Sequence, residues 1–180
     1  MNVKSISVAC AMVAVATGTA ARADVTGSVD ATITLTSGCI INEQLTNNGA
    51  SNSDFGTIDF GSRNSLFTSA DGEAVGSGTG IAIQCTPGIT PSLTFGAGQN
   101  DGQGTGSGNR AMAHATESGQ YVKYGLYSDA GRNTLIAIDG SLALASDGSA
   151  QVIRVYGRAY GAAGLVAGNY SDMVLVTLEL

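Results

Sequence analysis

The chain has 180 residues, and its 14 Asp and Glu outnumber its 8 Lys and Arg, which gives a formal net charge of −6 at pH 7. So acidic a protein is a poor partner for nucleic acid or for an anionic membrane surface, because both attract basic surfaces. The length suits one domain with one substantial core, and it is too short for two domains that each have a core of that size.

The N-terminus predicts a secretory signal peptide over residues 1–23. One basic residue, Lys4, precedes an apolar run at 6–15, and small residues ending at Ala23 complete a cleavage pattern. The run is too short and too rich in Ala to favour a membrane span, so no membrane insertion is expected. Cleavage between Ala23 and Asp24 is therefore predicted, with a retained N-terminal helix as the alternative.

Residues 24–36, DVTGSVDATITLT, predict a β-strand with one apolar face. The positions on that face of the period-two repeat are Val25, Gly27, Val29, Ala31, Ile33 and Leu35. Thr, Ser and Asp occupy the opposite face. The pattern alone equally fits the first strand of an ordinary antiparallel sandwich. Its position directly after the predicted signal, and the apolar strand at the far end of the chain, favour a strand made for another molecule's sheet.

Two cysteines, Cys39 and Cys85, remain after the predicted cleavage, since Cys10 lies in the signal. An even pair in an exported chain predicts a disulfide, with two free buried thiols as the alternative. On the chain-entropy model, closing a loop of this size stabilises the fold by about 4 kcal/mol.

The remainder of the chain predicts short strands separated by turn residues. After a polar connection at 41–54, the predicted strands cover residues 55–62, 79–85, 92–98, 121–128, 135–138, 141–145, 151–160 and 168–180. Segment 96–108, GAGQNDGQGTGSG, is too rich in Gly to hold a core and predicts a long mobile loop. No segment shows a capped 3.6-residue stripe, so the predicted fold is all-β, a sandwich of antiparallel strands.

The last predicted strand has its own apolar face. That face consists of Val174, Val176, Leu178 and Leu180. Leu175, Thr177 and Glu179 lie on the other face.

Residues that carry chemistry are scarce. His114, the one histidine, excludes most histidine-based metal sites and is interpreted as an exposed loop residue, because a triad or ligand role needs convergent partners. Asp101 is the one carboxylate of segment 96–108, too few for a calcium site. Asp54 and Asp59 are interpreted as solvated turn carboxylates rather than an acid/base pair. No cofactor, metal or enzymatic activity is predicted.

Several blocks of sequence, considered together, form a recognisable pattern. They are FGTIDFG at 55–61, YGLYSDAGR at 124–132, VYGRA at 155–159 and GNYSDMVLVTLEL at 168–180, combined with a strand after the signal and the pair Cys39 and Cys85. In these blocks the sequence resembles the spore coat protein U domain family, which includes the major subunits of archaic, Csu-type chaperone-usher pili. The resemblance spans essentially the whole chain after the signal.

The resemblance implies an incomplete immunoglobulin-like β-sandwich at 37–180 that lacks its last strand. A chaperone strand fills the missing place in the periplasm, and the N-terminal strand of the next subunit fills it in the fibre. Residues 24–36 match that donor strand, and Cys39 and Cys85 match the family's disulfide. Val174, Val176, Leu178 and Leu180 match the edge of the acceptor groove.

The resemblance also implies a function. It predicts a structural subunit that is exported through the periplasm and an outer-membrane usher to a surface pilus, where it supports adhesion and biofilm formation. Its expected partners are identical or homologous pilin subunits, the chaperone and the usher. Head-to-tail contacts of this kind are heterologous and need not close on themselves, so they can build a filament.

A second hypothesis from a different class is a self-complemented secreted coat or ligand-binding module. In this hypothesis residues 24–36 fold back into the groove of the same chain, and loop 96–108 binds sugar or another protein.

Overall fold

The computed structural model describes residues 24–47 and 49–180, so the predicted signal peptide and its last residue Ala23 lie outside the described residues. The chain divides into two units at Thr34 and Leu35. In the first unit, residues 24–34 form no regular strand, and the side chains of Val25, Val29 and Ile33 are 97%, 96% and 83% exposed.

The second unit is built from short strands. Among its described residues lie β1 (Gly38–Ile41), β2 (Gln44–Asn47), β3 (Thr57–Ile58), β4 (Ser69–Val75), β5 (Ile81–Cys85), β6 (Ser92–Gly98), β7 (Arg110–His114), β8 (Tyr121–Tyr127), β9 (Gly140–Ala143), β10 (Gln151–Ile153), β11 (Tyr156–Tyr160), β12 (Tyr170–Ser171) and β13 (Val174–Glu179). These residues include no helix. The prediction of an all-β fold is confirmed.

The strands form three sheets in which all neighbouring strands are antiparallel. A six-stranded sheet has the order β12-β7-β8-β11-β4-β3, a four-stranded sheet the order β10-β5-β1-β2, and a three-stranded sheet the order β13-β6-β9. Alternate side chains of all three sheets meet in one apolar core, as expected for half-buried strands.

A disulfide joins Cys39 of β1 to Cys85 of β5, and both side chains are buried. The two residues are direct partners in the register of these strands. The predicted disulfide is confirmed, and the alternative of two free thiols is wrong.

The polar connection predicted at 41–54 is wrong in its first part. Strands β1 and β2 form a hairpin there, with Asn42 and Glu43 in the turn at φ of 46° and 69°. Two successive left-handed residues match the twist of a two-residue hairpin turn. The turn was missed because Glu occupies a position where Gly is the usual signal.

Other predicted strands change in extent. Residues 135–138 form only an isolated bridge from Leu135 to Tyr127, and the predicted strand at 151–160 divides into β10 and β11, which belong to different sheets. Strands β4 and β7 were not predicted. In β4 the positions facing the core are small, and β7 begins with a charged residue, so neither shows a strong alternating apolar pattern.

Candidate functional site: an open groove beside the last strand

Strand β13 is an edge. It pairs with β6, with Val176 opposite Phe95 and Leu178 opposite Leu93, and no other described strand pairs with it. The outward-directed N–H and C=O groups of such an edge are free to pair with another chain.

A groove of about 960 Å³ with an apolar floor opens beside this edge. Two continuous segments line it, residues 55–65 and residues 165–174, which we call the first and second rims. Because β3 and β12 are the outermost strands of the six-stranded sheet, the rims lie at opposite edges of that sheet. The floor is formed by core side chains: Ala70, Ala74, Ile81, Phe95, Met112, Val122, Tyr124, Leu126, Val155 and Ala159.

The floor carries one polar bridge. Tyr124 is buried, and its hydroxyl donates a hydrogen bond of 2.8 Å to the Asp172 carboxylate. Burial, followed by this bond to Asp172, raises the pKa of Tyr124 far above its usual range, so the hydroxyl stays protonated. The ring of Tyr124 lies 6.0 Å from the ring of Phe60 in the first rim.

Asp172 holds the point where the chain leaves β12 and enters β13. Its other oxygen accepts hydrogen bonds from the backbone N–H of Gln99 at 2.8 Å and from the Asn100 side chain at 3.2 Å. A Cβ at Gly98 would overlap the Asp172 carboxylate, so glycine is required there. The aspartate thereby links the second rim to the end of β6 and to the groove floor.

Arg110 braces the same region from inside and was not singled out from the sequence. It is fully buried and donates to the backbone carbonyls of Phe95, Gly96, Ile136 and Ala137 at 2.9–3.3 Å. Burial lowers the pKa of its guanidinium. Because β13 pairs with β6, the Arg110 side chain also fixes the position of the groove edge.

The last strand places its predicted apolar face toward the interior. Val174, Val176 and Leu178 are half-buried, and the first two line the groove. Leu180 follows the strand and is 38% exposed, while Leu175 on the opposite face is 72% exposed. Their role as the acceptor edge stays a prediction.

His114 is not a loop residue, because it ends β7 and is half-buried. Its Nδ1 accepts hydrogen bonds from the N–H groups of Thr116 and Glu117 at 3.1 and 3.0 Å, and its ring packs edge-on against Tyr170. These contacts shape the turn after β7 and support the second rim.

The acidic residues considered from the sequence lie in turns. Asp54 accepts from the N–H of Gly56 at 2.8 Å, and Asp59 accepts from the N–H of Gly61 at 2.7 Å. Each is a local turn in which Asp bonds the backbone two residues ahead.

Within residues 24–47 and 49–180, no cluster of three or more His, Cys, Asp and Glu side chains is placed to hold a metal ion. The described part of the chain also has no helix with the length and apolar character needed to span a membrane.

The fold and the groove define an antiparallel β-protein with an unpaired edge strand beside a groove whose floor is formed by core side chains. The model of the Spore Coat Protein U domain matches residues 25–177, and the chain belongs to that family. The resemblance stated from the sequence is confirmed.

One similar solved structure is the complex of CsuC and CsuE, a chaperone and tip adhesion subunit in pre-assembly, from archaic chaperone-usher Csu pili of Acinetobacter baumannii. The TM-score is 0.45 at 16% sequence identity, and the match covers 82% of this chain but only 41% of that chain. No curated protein matches the sequence significantly.

Proposed function

We propose that this protein is a structural subunit of a surface pilus that polymerises head to tail by donor-strand exchange. The observation that carries the proposal is the open groove beside the unpaired edge of β13. Family membership supports it, and so does the apolar face of residues 24–36, whose large side chains are exposed.

The chemistry of the two parts is complementary. An added strand would satisfy the free main-chain groups of β13, and its alternate side chains would enter the groove. Val29, Ile33 and Leu35 are 96%, 83% and 83% exposed, so burying them would contribute about 5 to 9 kcal/mol before ordering costs.

The proposed pathway comes from the family resemblance, and the groove supports its chaperone step. An unpaired edge beside apolar surface is an aggregation template, so the subunit requires a periplasmic chaperone before assembly. In this pathway the predicted signal directs export, an outer-membrane usher passes the subunits to the surface, and the pilus supports adhesion and biofilm formation. The role is structural rather than enzymatic.

The domain organisation is part of the proposal. Residues 1–23 are the signal peptide, residues 24–36 the donor strand and residues 37–180 an immunoglobulin-like pilin domain that lacks its last strand. The partners are identical or homologous subunits, the chaperone and the usher.

The self-complemented binding module depends on loop 96–108 as its binding surface. That segment is partly used by the fold itself, since Gln99 and Asn100 bond Asp172 and Gly104 lies against Tyr121 and Lys123. These contacts leave less of the loop for a ligand, which favours the pilus subunit.

The test is to express the full chain with its cognate chaperone and usher and to run sheared surface material on a denaturing gel, with and without boiling. We expect a ladder of multiples that collapses to monomer only on boiling and that is absent when residues 24–36 are deleted. A single monomer band under both conditions would favour the self-complemented module.

A further inference from the structure

Tyr124 connects the two rims across the floor of the groove. Its ring contacts Phe60 of the first rim, and its hydroxyl donates to Asp172 of the second rim. The two rims belong to opposite edges of the six-stranded sheet, so a single side chain on the central strand β8 contacts both.

The path from β8 to the first rim is clear because Gly157 of β11 has no side chain. A Cβ at that position would come within 2.9 Å of the Phe60 ring, so only glycine lets Phe60 lie over β11 toward Tyr124. The contact between the rings of Phe60 and Tyr124 therefore depends on the absence of a side chain at Gly157 in β11.

The contact with the second rim is equally specific. Asp172 is the first of the two residues between β12 and β13, and it is already fixed by Gln99 and Asn100, which follow β6. The Tyr124 hydroxyl adds the bond that ties this corner to the floor. A charged acceptor makes such a bond stronger than a neutral one.

We propose that Tyr124 is a positioning residue that holds the two rims at the separation a donor strand requires, an inference that rests on the proposed donor-strand function. It acts through Asp172 and Phe60. A groove held in its binding geometry loses less conformational entropy when a strand enters, and its affinity is higher for that reason.

Tyr124→Phe tests the role because it removes the hydroxyl and keeps the ring. Tyr127→Phe is the matched control: it is the same change on the same strand but on the opposite face, where the hydroxyl bonds that of Tyr160 at 2.6 Å. The probe is a fluorescein-labelled peptide of residues 24–36, titrated against the chain from residue 24 onward in an Ile33→Asp background, whose own residues 24–36 do not occupy the groove. The melting temperature of each variant is measured alongside.

We expect Tyr124→Phe to weaken peptide binding about tenfold, the scale of one hydrogen bond to a charged group. Tyr127→Phe should bind like the unsubstituted chain even where its melting temperature falls by the same amount. A role in stability alone would instead make affinity follow melting temperature in both variants.

Asp172→Asn provides a second variant if Tyr124→Phe does not fold, and it should weaken peptide binding in the same direction. Equal affinity of the Tyr124 and Tyr127 variants would overturn the positioning role and leave the donor-strand function standing. Failure of the peptide to bind the Ile33→Asp chain in which Tyr124 and Tyr127 are unchanged would overturn both.

Discussion

Phe60 lies directly over Gly157, at a point where an added Cβ would approach the ring to 2.9 Å. Ile58 would meet a Cβ at Gly72 at 2.8 Å and one at Gly157 at 3.0 Å, so the first rim covers β4 and β11 through a pair of glycines. Ile58 and Phe60 of the first rim occupy the space that side chains at Gly72 and Gly157 would fill.

Gly157→Ala should displace Phe60 and destabilise the fold by about 1 to 3 kcal/mol, the usual cost of overpacking a close contact. Chemical denaturation followed by fluorescence measures this change. Gly78→Ala is the control, because a Cβ there meets nothing within 4 Å and the residue has no positive φ. Equal stability of the two variants would show that the rim is not held by this contact.

Arg110→Met should destabilise the protein by about 3 kcal/mol or more, because it removes a buried charged donor that makes five hydrogen bonds to four backbone carbonyls. Arg63→Met is the control, since Arg63 is exposed and its side chain bonds only the neighbouring Ser62 carbonyl. The free energy of unfolding of both variants, measured by urea denaturation, tests whether Arg110 has this stabilising role. A loss for Arg110→Met no larger than for Arg63→Met would contradict the bracing role.

How far the sequence predicts this structure depends on the side chains at core positions. Where large apolar residues alternate, as in β5 and β8, the strand is evident. In β4 the inward positions are Ala70, Gly72 and Ala74, whose small size shows no such alternation. These residues are small because the first rim packs over them. That packing is a tertiary contact, which the local sequence pattern does not reveal.

The groove itself was expected only through the family resemblance. Its edge residues Val174 and Val176 show the alternating pattern of any half-buried strand, and nothing local indicates that one side is unpaired. Asp172 and Tyr124 are 48 positions apart, so their bond is outside the reach of local pattern reasoning. Arg110 was missed because a charged residue is rarely expected in a core.

The stability of the outer face of the six-stranded sheet should depend on acid pH. The hydrogen bonds from Arg158, and the charge of Arg132 nearby, lower the pKa of Asp71 below its usual value. A lowered folded-state pKa contributes stability that is present above the unfolded pKa of about 3.9 and is lost as pH falls through the folded value.

Asp71→Asn should therefore be less stable than the unsubstituted chain at pH 6, by less than about 1 kcal/mol because the pair is exposed. The difference should shrink between pH 6 and about pH 2, as the pH falls through the lowered folded-state pKa of the carboxyl. Urea unfolding at the two pH values measures it, and a difference that persists unchanged in acid would contradict the ion-pair origin.

The most direct test of the donor assignment is a charge on the apolar face of residues 24–36. Ile33→Asp should abolish the polymer, because a buried unpaired carboxylate costs far more than the groove gains from the remaining side chains. Thr32→Asp places the same charge on the opposite face of the strand and should leave polymer largely intact. Both variants should be exported alike, which immunoblotting of periplasmic fractions checks. Normal ladders from Ile33→Asp would falsify the donor assignment, and loss of polymer in both variants would show that the segment acts without a preferred face.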